Sequence, residues 1–325
     1  MVLFENFYNN VEWWKESTAN NTIIPIGICG DKNYCITFDE EYKGDFPSSY
    51  AIIIGMSGAG KSSLLDTMIV GSCIKYSPNE LRLILIDQHC EFRQYAEEKL
   101  PHAEIVANCT PSEVVLHILQ VICKMIRERS DLFRDKEVNN FYSYRKKYPT
   151  DVLPRYMVVI DEYLNILNDG TERKREALYC LDYIIRVGRA LGFNLVLSSL
   201  TMELPADMLC DTWGREPYRI VMRTNFSNAK PLLGCYDERL VELKVGQAIV
   251  CKEKRELVQS YYIPKSSNDK PTNAKKTRLD YLRMIRNRWN EDTQGKYKHN
   301  FVVFDADEWS EPIIIKPYEF INNKL

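Results

Sequence analysis

The segment at residues 55–62 constrains this chain more than any other, because it reads Gly55-Met56-Ser57-Gly58-Ala59-Gly60-Lys61-Ser62. The apolar run Ala51-Ile52-Ile53-Ile54 precedes it, and the helix-compatible sequence 63–68 follows it. A glycine-rich turn between a buried strand and a helix directs successive backbone N–H groups at a phosphate, and the helix N-terminus adds its positive dipole end. The pattern G-x-x-x-x-G-K-[ST] in this context predicts a binding site for a nucleoside triphosphate.

Individual residues of this loop have expected roles. Lys61 is predicted to reach the β- and γ-phosphates, and the Ser62 hydroxyl is predicted to bind Mg²⁺. The other loop residues are expected to contact the nucleotide through backbone groups or short side chains: Gly55, Ser57, Gly58, Ala59, Gly60 and Ser63. ATP and Mg²⁺ are therefore the expected cofactors.

A second motif distinguishes hydrolysis from binding alone. The apolar run Tyr156–Ile160 ends in Asp161-Glu162. A P-loop protein needs one carboxylate near Mg²⁺ and another to orient and deprotonate the attacking water. We therefore predict Asp161 to be a metal ligand and Glu162 to be the catalytic base. A strand that ends in two acids is common by itself, and the P-loop upstream is what makes the pair informative.

Composition limits the classes of protein to which the chain can belong. It has 325 residues, of which 45% are hydrophobic, enough for one large α/β domain with appendages. No apolar stretch approaches the ~20 residues that span a bilayer, and no basic region with an apolar core opens the chain, so we expect a cytoplasmic protein without a signal peptide. Ten cysteines without a C-x-x-C pair favour reduced, packed thiols.

The formal net charge of −2 does not indicate a polyanion as partner. Basic clusters occur locally, and acids interleave with most of them: 145–147, 173–175, 252–255 and 283–288. A solvated helix face is the usual reason for such clusters. Composition thus favours neither nucleic acid nor protein as the partner.

Hydrophobic periodicity predicts alternating strands and helices. Five short apolar runs predict a mainly parallel sheet with helices on both faces: Ala51–Gly55, Leu81–Asp87, Tyr156–Asp161, Asn194–Ser199 and Tyr218–Arg223. Between the second and third runs, the capping-box sequence Thr110-Pro111-Ser112-Glu113 predicts a helix that starts at Pro111. Apolar residues at helical spacing then predict its core face: Val114, Val115, Ile118, Leu119, Ile122 and Met125.

A polar segment at 266–277 is predicted to be a linker that divides the chain. The four predicted parts are a helical N-terminal extension, the ATPase domain, the linker and a small α+β C-terminal extension: 1–22, 23–265, 266–277 and 278–325. Outside the ATPase domain we predict one helix near the N-terminus, and one helix and two strands near the C-terminus: Val11–Lys15, Leu279–Trp289, Phe301–Asp305 and Ile313–Lys316.

Beyond the nucleotide motif, the stretch from Ile24 to about Ile263 resembles the motor domain of the FtsK/SpoIIIE group within the FtsK–HerA P-loop ATPase superfamily. Five segments carry the resemblance: Ile24-Pro25-Ile26-Gly27, Leu100-Pro101-His102, 126–133, Leu153-Pro154-Arg155 and 186–194.

The resemblance implies a RecA-like α/β ATPase that assembles into a homo-oligomeric ring, usually a hexamer, with ATP between subunits. Most members of the group move double-stranded DNA. A branch, the EccC and EssC proteins of type VII secretion, handles secreted proteins. In such rings an arginine from the neighbouring subunit stabilises charge on the transferred phosphoryl group, and Arg189 or Arg186 would supply it here. Basic residues also stabilise helix C-termini, so a local role for either arginine stays open.

Two positions depart from the pattern of the group. Its members carry a lysine near the acid that corresponds to Asp87, and the sequence 88–92 here has none. The fourth strand is followed in the group by a glutamine that senses the γ-phosphate, and Leu200 stands in that place. A leucine side chain cannot hydrogen-bond phosphate. We expect ATP binding to persist. The coupling of hydrolysis to movement should be weakened, or Ser198 or Ser199 should take the place of the glutamine. Of these two serines, Ser199 is the one that we predict to contact the nucleotide.

Three functions remain, in order of preference. The first is an ATP-driven translocase of double-stranded DNA, whose stimulation by DNA would depend steeply on salt. The second is an ATPase module of a type VII-like secretion system of the EccC or EssC kind, which would recognise a secreted or partner protein and ignore DNA. The third is a nucleotide-binding assembly subunit with weak turnover.

Overall fold

The computed structural model describes residues 1–39, 48–108, 110–151, 153–167, 170–202, 217–252, 254–296 and 302–305. These residues form twelve strands: β1 (Val2–Leu3), β2 (Asn21–Cys29), β3 (Lys32–Asp39), β4 (Tyr50–Ile54), β5 (Leu81–Asp87), β6 (Ala103–Asn108), β7 (Arg155–Ile160), β8 (Phe193–Ser199), β9 (Tyr218–Met222), β10 (Gln247–Cys251), β11 (Arg255–Tyr262) and β12 (Val302–Asp305). They also form nine α-helices: α1 (Glu5–Tyr8), α2 (Lys61–Lys75), α3 (Arg93–Glu97), α4 (Ser112–Asp135), α5 (Phe141–Lys147), α6 (Leu164–Leu167), α7 (Thr171–Arg186), α8 (Phe226–Leu233) and α9 (Arg278–Asp292). Two 3-10 helices lie at Gly188–Leu191 and Glu238–Glu242. None of the described helices is both long enough and apolar enough to cross a membrane.

Within the described residues the strands form a single sheet in the order β12-β6-β5-β7-β8-β4-β9-β10-β11-β2-β3, and β1 pairs with β11 outside this path. Neighbouring strands from β12 to β9 are parallel, and those from β9 to β3 are antiparallel. Parallel neighbours require crossover connections, and the sequence alternates strands with helices in that half. The predicted α/β fold with a mainly parallel sheet is confirmed.

The hydrophobic core lies in two layers, one on each face of the sheet. Along β4, Tyr50, Ile52 and Ile54 face one layer, and Ala51 and Ile53 face the other. This alternation is the period-two geometry of a strand. Helices α4 and α7 cover the first layer, and α2 and α9 cover the second. Because helices cover both faces, the central parallel strands are buried on both sides.

The start of α4 differs from the predicted capping box. The helix begins at Ser112, and Pro111 is its N-cap, with ψ of 152°. Among the described residues no side chain caps this helix, and the Thr110 hydroxyl has no hydrogen-bond partner there. The Pro111 carbonyl accepts instead from the N–H groups of Val114 and Val115. The capping prediction is therefore wrong, while the predicted core face is confirmed: Val114, Val115, Ile118, Leu119, Ile122 and Met125 all pack in the first layer.

The predicted helix at Val11–Lys15 is wrong. These residues contain a turn, and Trp14 has φ of +58°, outside the helical region. The Trp14 indole N–H donates to the Cys73 carbonyl of α2 at 2.9 Å, and its ring packs against Trp289 of α9. The N-terminal segment contributes β1 to the sheet beside β11. Its first residues thus extend the sheet, and the division of the chain at residue 22 stays a prediction.

The predicted C-terminal helix and the first of its two strands are present. Helix α9 begins at Arg278, where Thr277 and Asp280 form a reciprocal capping box. Strand β12 extends the sheet in parallel with β6. The predicted strand at Ile313–Lys316 lies outside the described residues. The described part of the C-terminal segment thus packs on the ATPase core and extends its sheet, and the linker at 266–277 stays a prediction.

Gly71 tests how tightly α2 packs on β2. A Cβ at this position would lie 2.4 Å from Cγ of Pro25, which belongs to a rigid ring. We expect Gly71→Ala to lower the free energy of unfolding by about 1–3 kcal/mol through overpacking. This outcome would oppose the helix propensity of alanine, which exceeds that of glycine by ~1 kcal/mol. Urea unfolding followed by circular dichroism measures the difference.

Ser72→Ala is the matched control, one residue further along the same helix. The Ser72 hydroxyl is buried and has no hydrogen-bond partner among the described residues. Its removal should leave the free energy of unfolding unchanged or slightly raised. A Gly71→Ala variant as stable as this control would contradict the close packing of α2 on β2.

Candidate nucleotide-binding site

The glycine-rich loop joins β4 to α2 in a conformation suited to phosphate. Gly58 and Gly60 have φ values of +73° and +108°, in the left-handed region that favours glycine. A Cβ on Gly60 would also lie 3.1 Å from the Gly246 nitrogen. Lys61 and Ser62 begin α2, so the unpaired N–H groups of the first turn of that helix lie next to the loop. Residues 55–62 therefore form the strand–loop–helix unit that the motif predicts.

Neighbouring segments hold this loop from both sides. The Gly55 N–H donates to the Ser199 carbonyl of β8 at 3.3 Å, and the Ala59 carbonyl accepts from the Gly246 N–H at 2.9 Å. The first bond uses the N–H group of Gly55, which is therefore paired within the protein. Gly55 and Ala59 thus fix the shape of the loop.

A cavity of about 630 Å³ lies over this loop. Most of the predicted site residues line it, together with Leu200: Ser57, Gly58, Gly60, Lys61, Ser62, Ser63, Asp161 and Glu162. Three predicted nucleotide contacts, Gly55, Ala59 and Ser199, are not among the described residues that line it. The residues meet because β4, β8 and β7 are parallel neighbours, so their carboxyl ends lie at one edge of the sheet.

Lys61 and Glu162 form an ion pair in this cavity. The Lys61 ammonium lies 3.3 Å from Glu162 Oε1 and donates to the Gly55 carbonyl at 2.9 Å. The second oxygen, Glu162 Oε2, accepts from the Leu200 N–H at 3.1 Å. The exposed fractions of the two charged side chains are 8% and 12%, so solvent ions screen the pair less than a surface pair. Glu162 therefore occupies a position for which an anionic phosphate would compete.

Asp161 lies at the end of β7 and is buried. Its carboxylate accepts hydrogen bonds from the Ser198 hydroxyl and the Glu162 N–H. Burial raises the pKa of Asp161 to about 6, with the Ser198 hydrogen bond opposing the rise and the Glu162 charge adding to it. A cation beside the carboxylate would favour its ionised form. Asp161 and the Ser62 hydroxyl share the cavity and are hard oxygen donors, so the residues present fit Mg²⁺.

The end of β8 provides a backbone group where the sequence predicts a side chain. The Ser198 hydroxyl donates to Asp161, and Ser199 is buried, with its carbonyl bonded to the P-loop. Neither serine is among the described residues that line the cavity. Leu200 does line it, with a side chain that is 43% exposed. The polar group at this position is the Leu200 N–H, which every residue except proline supplies.

The loop after β5 contributes residues that the sequence patterns do not single out. The buried Asp87 carboxylate accepts from the N–H groups of His89 and Phe92, which shapes the loop, and burial raises the pKa of Asp87. His89 and Glu91 line the cavity. Glu91 is ion-paired with Lys265, which lines the cavity as well. The loop after β5 has no lysine of its own. The ammonium group on this side of the cavity is that of Lys265, which follows β11.

Cysteine chemistry in this loop differs from the expectation of reduced thiols. Seven described cysteines are free: Cys29, Cys35, Cys73, Cys123, Cys180, Cys235 and Cys251. Cys90, by contrast, is disulfide-bonded and has φ of +59°. The expectation is therefore wrong at Cys90.

Further cavity residues come from the antiparallel half of the sheet and from the start of the chain: Met1, Val245, Gly246, Gln259, Ser260 and Tyr262. The antiparallel pairing of β10 with β9 and β11 brings most of them to the P-loop. The one local signal in the sequence is Gly246, whose φ of +78° marks the turn before β10. No motif of adjacent residues could have identified the others.

Arg189 and Arg186 lie away from this cavity. Arg189 is in the 3-10 helix that precedes β8, whereas the P-loop follows the end of β4, which is parallel to β8. Arg189 therefore lies at the amino ends of the parallel strands and the P-loop at their carboxyl ends. The rise per residue along a strand puts about 20 Å between them. Arg186 is ion-paired with Asp182, one turn earlier on α7. Arg186 therefore has a local partner, and Arg189 is too far to act in the cavity of its own chain.

Known proteins resemble this chain in sequence. A family model described as the FtsK/SpoIIIE family matches residues 5–264. The type VII secretion system protein EssC of Staphylococcus aureus (strain NCTC 8325 / PS 47) is 22% identical over 216 residues, which are 65% of this chain and 14% of EssC. The ESX secretion system protein EccC of Geobacillus thermodenitrificans (strain NG80-2) is 24% identical over 218 residues, again 65% of this chain and 14% of EccC. The chain thus spans about a seventh of the length of these curated relatives.

Solved structures share the fold. The cytoplasmic domain of the Thermomonospora curvata type VII secretion ATPase EccC matches with a TM-score of 0.69 at 23% identity, over 88% of this chain and 34% of that chain. The pCW3 conjugation coupling protein TcpA matches with a TM-score of 0.60 at 18% identity, over 74% of this chain and 66% of that chain. At these identities the likeness supports the architecture of the domain alone.

The Lys61–Glu162 contact predicts different effects of two substitutions on nucleotide binding. Lys61→Ala removes the ammonium group. A hydrogen bond to a charged group contributes ~1.5–3 kcal/mol, so we expect ADP affinity to fall about tenfold or more. Glu162→Gln removes the anion that competes with phosphate for Lys61. We therefore expect this variant to bind ADP at least as tightly as the wild type. Calorimetric titration measures both affinities.

Phosphate release then separates binding from chemistry. Glu162→Gln should bind ATP and lose hydrolysis, because an amide cannot deprotonate the attacking water. Glu172→Gln, at an exposed acid on α7, is the control and should change neither property. A Glu162→Gln variant that hydrolyses ATP at the wild-type rate would show that Glu162 is not the base.

Leu200 is exposed at the cavity wall, so its replacement should not disturb the core. We expect Leu200→Gln to keep the wild-type stability within the ±0.5 kcal/mol or so that is usual for surface substitutions. Its amide would offer a donor and an acceptor near the γ-phosphate, so turnover should rise, each tenfold gain corresponding to ~1.4 kcal/mol. Thermal midpoint and turnover are measured on one preparation. Leu200→Ala, which adds no amide, is the control, and equal turnover of the two variants would exclude a sensor role here.

Proposed function

Because the chain belongs to the FtsK/SpoIIIE family, we propose that it is an ATP-hydrolysing motor module that couples turnover to the movement of a polymer. The observation that supports this proposal is that the P-loop residues Lys61 and Ser62 line the same cavity as the paired acids Asp161 and Glu162. Binding needs the first pair, and hydrolysis needs the second as well. The similar EccC structure is a cytoplasmic domain, and we propose the same compartment here.

Each residue has a separate role in the proposed reaction. Ser62 and Asp161 would hold Mg²⁺, which when bound offsets negative charge on the phosphate oxygens. Lys61 moves its ammonium from Glu162 to the phosphates, because a triphosphate carries more negative charge than one carboxylate. Glu162 keeps its hydrogen bond from the Leu200 N–H and accepts a proton from the attacking water.

We further propose a homo-oligomeric ring, a hexamer, in which Arg189 completes the site of a neighbouring copy. Arg189 lies at the sheet edge opposite the cavity, so in a ring it would face the next subunit. A guanidinium there stabilises charge on the transferred phosphoryl group. Four residues at the cavity are exposed and apolar: Met1, Met56, Leu200 and Val245. An adjoining subunit would cover such a surface.

Double-stranded DNA is the first candidate for the polymer, and one surface cluster favours it. Three lysines on or near α5 lie close to two tyrosine rings. The ammonium groups of Lys136 and Lys147 lie 5.1 and 5.6 Å from the Tyr148 ring centroid. The ammonium group of Lys146 lies 5.8 Å from the Tyr142 ring centroid. Cations interleaved with aromatic rings suit phosphate backbones and bases. This Lys/Tyr cluster would contact the nucleic acid.

A secreted or partner protein is the second candidate, and the pairing of surface charges favours it. Each of the four basic clusters in the sequence has a member that pairs with an acid: Arg145 with Glu80, Arg173 with Glu113, Arg255 with Asp237, and Arg283 and Arg286 with Glu98. Such pairing leaves less positive charge for a phosphate backbone. The similarity to EssC and EccC, which are named as secretion system proteins, supports the same candidate.

ATP turnover with duplex DNA, with single-stranded DNA and without polymer, each at low and high salt, tests the proposal. For a DNA motor, duplex DNA should raise turnover several-fold, and salt should remove the rise because phosphate contacts release counterions. The double variant Lys146→Ala/Lys147→Ala should lose the stimulation. Lys174→Ala, on α7, is the control and should keep it.

The remaining outcomes separate the alternatives. Basal turnover without a response to DNA would favour a polypeptide substrate. Light scattering measures whether a non-hydrolysable ATP analogue promotes oligomers. Oligomers with the analogue, together with no turnover of ATP, would favour an assembly subunit. A chain that neither binds nor hydrolyses ATP would refute the proposed ATPase.

A further inference from the structure

We propose that Arg278 is a positioning residue of the nucleotide site, although it lies beyond the residues 5–264 that the family model matches. Arg278 is the first residue of α9, and its side chain is only 7% exposed. Its guanidinium contacts the helix that carries Lys61 and the loop on the other side of the cavity. The inference rests on the proposed nucleotide site and adds a residue that holds two of its walls together.

Within the described residues the guanidinium donates three hydrogen bonds. Nη1 donates to Asp66 Oδ1 on α2 at 2.8 Å and to the Glu91 carbonyl at 3.3 Å. Nε donates to Gln94 Oε1 on α3 at 2.7 Å. The planar fork of arginine allows these contacts together, in a fixed geometry that a lysine ammonium does not provide. One buried side chain therefore joins α2 to the segment 91–94.

Asp66 links the guanidinium to the P-loop helix. It is 1% exposed and lies one turn after Ser62 on the same face of α2. The Tyr95 hydroxyl donates to the same Asp66 oxygen at 2.7 Å, and the Tyr95 ring centroid lies 5.2 Å from the guanidinium carbon. A displacement of Asp66 would therefore be transmitted to the first turn of α2, where Lys61 lies.

Glu91 links the guanidinium to the opposite wall. The Arg278 guanidinium binds the Glu91 carbonyl, while the Glu91 side chain lines the cavity. The Glu91 carboxylate is ion-paired with Lys265, another residue of the cavity wall. Arg278 thus holds the backbone of a segment that lines the cavity.

The geometry of this junction points to a role beyond stability. Desolvation of both charges offsets the attraction within a buried ion pair, whereas removal of one partner leaves the other charge buried and unpaired, so a loss of stability alone says nothing about the nucleotide site. What a rigid guanidinium adds is a defined spacing between α2 and the loop at Glu91. Replacing it should therefore change nucleotide affinity in the folded protein, and not only the temperature of unfolding.

ADP titration of the full chain, well below the thermal midpoint of each variant, tests the inference. Arg278→Met should weaken ADP binding on the order of tenfold. It should also raise the KM for ATP with little change in kcat, because the groups that act in the transition state are unchanged. Asp66→Asn should weaken ADP binding to a similar extent. The double variant Arg278→Met/Asp66→Asn should bind ADP no more weakly than either single variant does, because both substitutions remove the same contact.

Arg286→Met is the matched control on the same helix. Arg286 is ion-paired with Glu98 at 2.9 Å, at the end of α3. This control should leave ADP affinity unchanged, whatever its effect on the thermal midpoint. Arg278→Lys keeps the charge and loses the fork, so it should also weaken ADP binding and serves as the test if Arg278→Met does not fold.

The results that would overturn the inference are distinct from those that would overturn the proposed function. If the folded Arg278→Met and Arg278→Lys variants bind ADP as tightly as the wild type, Arg278 only stabilises the fold and the inference is wrong. If the wild type itself binds neither ADP nor ATP, the proposed function is wrong and the inference is wrong with it. The wild type is titrated first, so the two failures are separate observations.

Discussion

The parallel pairing of β7, β8 and β4 is the constraint on which the rest of the structure depends. Strand β8 lies between the strand that ends at the P-loop and the strand that ends at Asp161, so their carboxyl ends meet at one edge of the sheet. There Lys61 and Glu162 come within 3.3 Å of each other. A slip of one residue would turn every side chain of a strand to the opposite face. Because helices cover both faces, the core fixes the register of these strands, and the register fixes the distance between the charged groups.

The features that can be predicted from the sequence are those that adjacent residues determine. The P-loop needs glycine at positions of positive φ and a helix that starts at Lys61, and both requirements are visible within eight residues. The pair Asp161-Glu162 follows directly from a buried strand. The start of α9 is similar in kind, because Thr277 and Asp280 cap it within a single turn.

The features that escape prediction depend on contacts between distant segments. Lys265 meets Glu91 because the strands of the antiparallel half lie beside the P-loop in the folded chain. Trp14 leaves the helical region because its indole bonds to the Cys73 carbonyl, a tertiary contact that overrides local propensity. At Leu200 the sequence shows a side chain that cannot bind phosphate, whereas the structure uses the backbone N–H of the same residue.

Helix α9 covers the outer face of the P-loop helix with three fully buried side chains, Tyr281, Leu282 and Ile285. A chain shortened to the family-matched residues 5–264 would retain every proposed catalytic residue and expose that apolar face of α2 to water. Contiguous exposed apolar surface promotes self-association. Such a shortened protein would aggregate for a reason unrelated to nucleotide chemistry, so its inactivity would carry no information about the site.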